Sequence, residues 1–139
     1  MSSEICRIGE PGCTHENVID AINAIGVHPN QLRRFVPGEP YVGNVDLPVF
    51  WGGDDVSTQA VYDRRGIQIG ILNTTRSNHE LHPGTVVRDT VVVDGGYRIR
   101  TQGIGHGWWG LANLLGADGE WSDVDQRVMD YLHTRTFGP

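Results

Sequence analysis

Three histidines and one arginine in the middle of the chain are the residues best suited to chemistry. His79 and His82 lie close together before a Pro-Gly pair, Arg88 follows them, and His106 stands in a glycine-rich stretch. Histidine titrates near neutral pH, so two histidines held in opposite protonation states can act as general base and general acid. An arginine beside them would stabilise a transition state that gains negative charge. The set predicts metal-independent hydrolysis or transfer at a phosphodiester, with His79 or His82 as the base and His106 as the acid.

Four other side chains are candidates for substrate binding. Tyr97, Thr101 and Asn113 could add hydrogen bonds to the substrate. Trp108 could stack on a sugar or a base if it is exposed, and would otherwise belong to the core.

A metal site is the alternative use of the same histidines. His79 and His82 could share a metal on a helix, with Asp89 or His106 completing the ligand set. The pair Pro83-Gly84 interrupts such a helix, and the chain has no H-E-x-x-H or C-x-x-C pattern. We therefore expect neither a metal nor another cofactor, and keep a zinc-dependent hydrolase as a further alternative.

The charge of the chain limits the kind of substrate site. A formal net charge of −6 argues against a wide nucleic-acid interface, which needs clustered basic residues. A small Arg/His site for RNA or another phosphodiester is compatible with it. All 11 basic residues are arginine. The absence of lysine has two possible explanations. One is a high-GC genome, and the other is selection against side-chain amines that can be modified, as in a toxin acting in a foreign cytosol.

The elements that must position these residues are short β-branched runs joined by glycine-bearing turns. Such runs are typical of hairpins. The predicted strands are 60–63, 67–72, 86–93 and 97–101. We therefore predict an α+β fold with a four-stranded antiparallel meander, on which N-terminal helices and a C-terminal helix pack.

The remaining segments complete a single domain over residues 1–139. Thr14 is a predicted N-cap for a helix that runs to about Ile25 and stops at Gly26, and Trp121 is a predicted hydrophobic staple before the final helix. The predicted regions are an N-terminal arm (1–13), a helical region (14–36), a loop (37–58), the sheet (59–107) and a second helical region (108–135). Within them we predict a second helix at 30–36 and a short strand at 47–51. The final helix is predicted at 124–134, with Ser122 or Asp123 as its N-cap.

The cysteines and the termini bear on the compartment. Cys6 and Cys13 enclose a short turn, so they form a disulfide in an oxidising compartment or remain thiols in the cytosol. No apolar run approaches the roughly 18 residues that span a bilayer, and the start has no basic leader or apolar core. We expect no membrane partner and no signal peptide, and hence a cytoplasmic protein or a piece of a longer one.

The C-terminal part of the chain resembles the C-terminal toxin modules of bacterial polymorphic toxins, the Rhs and contact-dependent class. The residues that carry the resemblance are Asn73, Thr74, Thr75, His79, Leu81, His82, Pro83, Gly84, Val86, Arg88, Thr101, Gly103, Gly105, Asn113, Trp121 and Asp125. It implies a secreted effector domain carried by a delivery protein, neutralised by an immunity protein and acting in the target cell's cytoplasm, often as a nuclease or another hydrolase. The acidity of this chain departs from the basic character of many such toxins. The alternative to an enzyme is a non-catalytic binding or structural module of a phage or secretion apparatus.

Overall fold

A computed structural model describes residues 1–29, 31–44, 55–75, 85–104 and 117–137. Six strands and two helices lie in these ranges. In chain order they are β1 (Ser2–Arg7), α1 (His15–Ile25), β2 (Val42–Asn44), β3 (Asp55–Tyr62), β4 (Gln68–Thr75), β5 (Thr85–Val93), β6 (Gly96–Ile104) and α2 (Ala117–Phe137).

The strands form one antiparallel sheet in the order β1-β6-β5-β4-β3-β2, curved into a half-barrel. The predicted α+β class is therefore correct, but the predicted four-stranded meander is wrong. Its four strands are β3 to β6, and β1 and β2 extend the sheet at its two edges. The predicted irregular arm contributes β1, which pairs with β6 from Ser2 opposite Arg100 to Arg7 opposite Gly96. Only one side chain of β1, that of Ile5, is fully buried, so no alternating apolar pattern marks this strand in the sequence.

The turn between β5 and β6 fixes the pairing of the two longest strands. Asp94 and Gly95 both have positive φ angles, 51° and 76°. Positive φ angles at both central residues define the two-residue turn whose twist matches that of the flanking strands. Asp-Gly is a preferred sequence for this turn. The hairpin predicted at this position is confirmed, with Val93 opposite Gly96 and Thr85 opposite Ile104.

The helix predicted after Thr14 is confirmed, whereas the second N-terminal helix is wrong. The Thr14 side chain accepts a hydrogen bond from the Asn17 amide, and Gly26 closes the helix with a bond to the Ile22 carbonyl. Residues 31–36 are not helical. The Gln31 side chain instead bonds the Val27 amide and the Asn23 carbonyl, and so takes the place of backbone partners.

Helix α2 begins earlier than the predicted cap at Ser122 or Asp123. Trp121 lies inside the helix and is buried, so it is not a staple before the first turn. The strand predicted at 47–51 and the short helical segment after Gly107 lie outside the described residues. Within the described residues, no helix has the length and apolarity needed to cross a membrane.

The core lies on the face of the sheet that both helices cover. The apolar cluster joins α1, the sheet and α2 through buried aliphatic side chains. Its central members are Val18 and Ile22 of α1, Ile71 and Ile99 of the sheet, and Val128 of α2.

Cys6 and Cys13 form a disulfide. The bond joins β1 to the turn that leads into α1, and Cys13 is buried beside the N-cap. Of the two alternatives that the sequence left open, the structure has the oxidised one.

We expect the double variant Cys6→Ser, Cys13→Ser to lose about 2.5 kcal/mol in free energy of unfolding. The estimate follows from the separation of 7 positions between the two cysteines, because the disulfide removes the conformational entropy of that loop from the unfolded chain. Denaturant unfolding of the oxidised wild type and of the variant measures it. The control is dithiothreitol, which should destabilise the wild type by the same amount and leave the variant unchanged. Equal stability of the two oxidised proteins would contradict the prediction.

Candidate functional site

Arg88 is the largest side chain that is fully buried among the described residues. Its side chain points from the middle of β5 into the core and is fully buried, with 0% exposure. The guanidinium donates three hydrogen bonds: Nε to the Gly26 carbonyl at 2.8 Å, Nη1 to Thr101 Oγ1 at 2.7 Å, and Nη2 to Asp125 Oδ1 at 2.7 Å. These acceptors come from the end of α1, from β6 and from α2. One side chain thus joins the sheet to both helices.

Both side chains of the Arg88–Asp125 pair are fully removed from water. The guanidinium carbon of Arg88 lies 4.6 Å from the ring centroid of Trp121, one helical turn before Asp125. Burial lowers the pKa of Arg88 from its ordinary value, and the carboxylate of Asp125 opposes that shift. Asp125 Oδ2 is buried as well and accepts no hydrogen bond from the described residues. Removing either partner would therefore leave a buried charge without its counter-charge.

The residues just after α1 receive a second set of bonds from the sheet. The Thr58 hydroxyl donates to Asn73 Oδ1 at 2.6 Å, and Asn73 Nδ2 donates to the Val27 carbonyl at 2.8 Å. Together with the Arg88 bond to Gly26, these contacts satisfy two carbonyls that follow the helix. A positive charge at this position also interacts favourably with the helix dipole.

The strand pairing brings the long connections of the chain to one end of the sheet. Asn44 lies opposite Asp55, Val56 opposite Thr75, and Thr85 opposite both Thr74 and Ile104. We call the end formed by Asn44, Asp55, Thr75, Thr85 and Ile104 the connection end. The segments 45–54, 76–84 and 105–116 are each joined to residues at this end. Arg88 and Thr101 lie three residues away from it, about 10 Å along their strands.

Five of the predicted site residues lie outside the described residues. They are His79, His82, His106, Trp108 and Asn113. Their roles stay predictions. The structure adds that Thr75, Thr85 and Ile104, which adjoin their segments at the sheet, lie close together at the connection end.

Of the three described members of the predicted site, the structure brings two together. Arg88 and Thr101 are hydrogen-bonded, whereas Tyr97 lies four residues farther along β6, about 13 Å away, beside His15. The guanidinium of Arg88 is fully buried, so a substrate oxygen would reach it only after the packing around it had opened. In the described arrangement Arg88 and Thr101 therefore support the frame of the protein.

Asp89, a possible metal ligand from the sequence, has another partner. Adjacent strand residues point to opposite faces, so Asp89 faces away from Arg88. Both of its carboxylate oxygens accept hydrogen bonds from Arg100, at 3.0 and 2.7 Å. Among the residues that the structure describes, no three His, Cys, Asp or Glu side chains are grouped in a way that could hold a metal ion.

The burial of Asp125 was not predicted from the sequence. Trp121, Val124, Val128 and Leu132 recur at helical spacing and are buried, and Asp125 lies within that apolar face. A charged residue in the middle of an apolar face needs a buried partner. Arg88 lies on one face of β5 with the β-branched residues Val86 and Thr90 on either side, and it carries the matching signal. The two patterns together could have predicted the pair.

Comparison of the chain with protein-family models, curated proteins and solved structures gives no match.

We expect Asp125→Ala to lower the free energy of unfolding by about 3–5 kcal/mol, because the buried guanidinium loses its counter-charge. The double variant Arg88→Met, Asp125→Leu should recover most of that loss, since it replaces both charges with apolar groups. Urea unfolding measures both. The matched control is Glu4→Ala, which removes the exposed pair with Arg7 and should cost about 1 kcal/mol or less. A loss at Asp125 no larger than the loss at Glu4 would show that the buried pair contributes little.

Proposed function

We propose that this domain is a small metal-independent hydrolase, most specifically a ribonuclease, that serves as the toxin domain of a secreted bacterial effector. His79 or His82 acts as the general base and His106 as the general acid. The site lies at the connection end of the sheet. An immunity protein and a delivery protein are its proposed partners, and the cytoplasm of a target cell is its proposed place of action.

The strand order is the observation that supports this proposal. In sequence, His82 and His106 are 24 positions apart. In the sheet, Thr75, Thr85 and Ile104, which flank their segments, belong to three consecutive strands and lie side by side. An acid and a base must both reach one substrate, so this adjacency is what a two-histidine mechanism requires.

The buried network beneath the connection end supplies the rigidity that such a mechanism needs. Arg88 and Thr101 join β5 and β6 to each other, and Asp125 joins them to α2. Histidines on connections between these elements would thus be carried by a fixed frame, and a loss of geometry of about 1 Å can cost two orders of magnitude in rate. We assign Arg88 a positioning role through this frame.

The first test is induced expression in a bacterial cytosol, with growth and total RNA integrity as the readouts. The wild-type domain should arrest growth and cleave RNA. His82→Ala and His106→Ala should each lower the cleavage rate of purified protein by about 10² to 10⁴, the usual contribution of a general acid or base. Their melting temperatures should stay close to that of the wild type.

The matched control is His133→Ala, because His133 is an exposed histidine of α2. It should leave cleavage unchanged. Full activity in both His82→Ala and His106→Ala would refute the assignment, and growth arrest with intact RNA would retain the toxin but exclude the ribonuclease.

A chelator separates this proposal from a zinc-dependent hydrolase. We expect RNA cleavage by the purified domain to be unchanged after dialysis against EDTA, because histidines alone carry the proton transfers. Loss of cleavage after dialysis, restored by added zinc but not by magnesium, would assign the histidines as metal ligands instead.

A second candidate function is a non-catalytic binding or structural module of a phage or secretion apparatus. The end of the sheet opposite the connection end favours it, because two hairpins there expose large apolar side chains. Tyr62 and Ile67 flank the β3–β4 turn, and Val92 and Val93 precede the β5–β6 turn, each about half exposed. Size-exclusion chromatography with light scattering would detect self-assembly through this surface. Assembly that is lost in Tyr62→Ser, together with normal growth on expression, would favour this second function.

A further inference from the structure

A buried histidine joins the end of α1 to the edge strand β2. His28 is 2% exposed. Its Nδ1 lies 2.6 Å from the Pro29 carbonyl oxygen and its Nε2 lies 3.1 Å from the Tyr41 hydroxyl. A carbonyl can only accept, so Nδ1 carries the hydrogen. In the neutral ring Nε2 is then the acceptor. The single hydrogen of the Tyr41 hydroxyl is shared between two acceptors, His28 Nε2 at 3.1 Å and the Arg33 carbonyl oxygen at 3.3 Å.

The backbone of β2 packs directly on this ring. A Cβ atom at Gly43 would lie 2.2 Å from His28 Nε2, so only glycine fits at this position beside the imidazole. Tyr41, just before β2, is held from the other side, because its carbonyl accepts a hydrogen bond from the Thr58 amide of β3 at 3.1 Å. The ring of His28 thus contacts both Tyr41 and β2.

The groups around the ring offer little compensation for a positive charge. From the 31–40 segment, the guanidinium carbon of Arg33 lies 4.4 Å from the centroid of the Tyr41 ring, and Glu39 is exposed. From β3, the acidic residue nearest to β2 in the strand pairing is Asp55, opposite Asn44. The polar residues that α1, β3 and β4 bury nearby are uncharged: Asn23, Thr58 and Asn73. Within the described residues, no carboxylate bonds the ring.

We propose that His28 is a pH-sensitive contact whose protonation releases Tyr41 and β2 from β3. Protonation would place a charge on a ring that is 2% exposed and that no described carboxylate bonds, so the charged ring gains more from water than from the packed site. Released, the ring binds its proton from water at an ordinary affinity. Since β2 ends at Asn44, its release would open the connection end on the β2 side. The inference rests on the packing of His28 and is independent of the proposed function.

The direction of the pH effect follows from the burial of the ring. Desolvation lowers the pKa of His28 from 6.5, and the bond to Pro29 opposes this only in part. The packed state therefore stays neutral while the released state takes up a proton. As the pH falls below 6.5, the equilibrium constant for release should rise up to tenfold per pH unit, until the pKa of the packed ring is reached.

Amide hydrogen exchange followed by NMR tests the proposal between about pH 7 and pH 5, the range in which histidine titrates. The Thr58 amide reports on the release of Tyr41, and amides of the β5–β6 ladder report on global opening. After correction for the intrinsic exchange rate, opening at Thr58 should increase up to tenfold per pH unit relative to the ladder. In His28→Asn, which retains an N–H donor for the Pro29 carbonyl but does not titrate, this increase should vanish. The control His133→Asn should keep the wild-type pH dependence.

A pH-independent Thr58 opening in the wild type, or the same increase in His28→Asn, would overturn the proposal. A titration of the histidine rings by NMR in the wild type keeps the test valid if His28→Asn does not fold. A His28 ring that stays neutral until Thr58 loses protection supports the proposal. A ring that becomes protonated while Thr58 stays protected overturns it.

Discussion

The buried ion pair between Arg88 and Asp125 is the interaction on which the arrangement of the two helices over the sheet depends. Its partners come from β5 and α2, and the same guanidinium also bonds Thr101 of β6 and Gly26 after α1. An apolar core tolerates small shifts of a helix, because dispersion contacts have little directionality. A charge-assisted hydrogen bond of 2.7 Å in a desolvated interior is directional, so it does not tolerate such shifts. The pair thus fixes where α2 lies, at the cost of desolvating two charges.

The chain separates a rigid interior from the segments that carry the predicted chemistry. The polar groups that the structure buries are bonded to one another and hold strands and helices together. The histidines proposed to act on a substrate belong to segments that adjoin Thr75, Thr85 and Ile104 at one end of the same sheet. This division is common in enzymes, where loops carry the reacting groups and a scaffold positions them. The proposed site would need positive charge only in a small region at that end, so the proposal is compatible with the net charge of −6.

The residues after α1 connect this frame to the edge of the sheet in two ways that respond differently to pH. The carbonyls of Gly26 and Val27 are bonded by Arg88 and Asn73, neither of which changes its charge in the physiological range. His28, the next residue, contacts Tyr41 through an imidazole ring, a group that can take up a proton near neutral pH. In the proposed response to pH, the contact to β2 is lost while the bonds of Arg88 and Asn73 remain.

The sequence by itself determined the local elements, because their signals lie within a few residues of one another. Thr14 and Gly26 delimit α1, and the Asp94-Gly95 turn sets the β5–β6 hairpin. The tertiary structure alone decided which strands complete the sheet and which charges meet. Strand β1 lacks an apolar pattern and forms because β6 offers it an unpaired edge. Asp125 finds Arg88 across 37 positions of the chain, a contact that no local rule encodes, since its energy exists only once both side chains have left water.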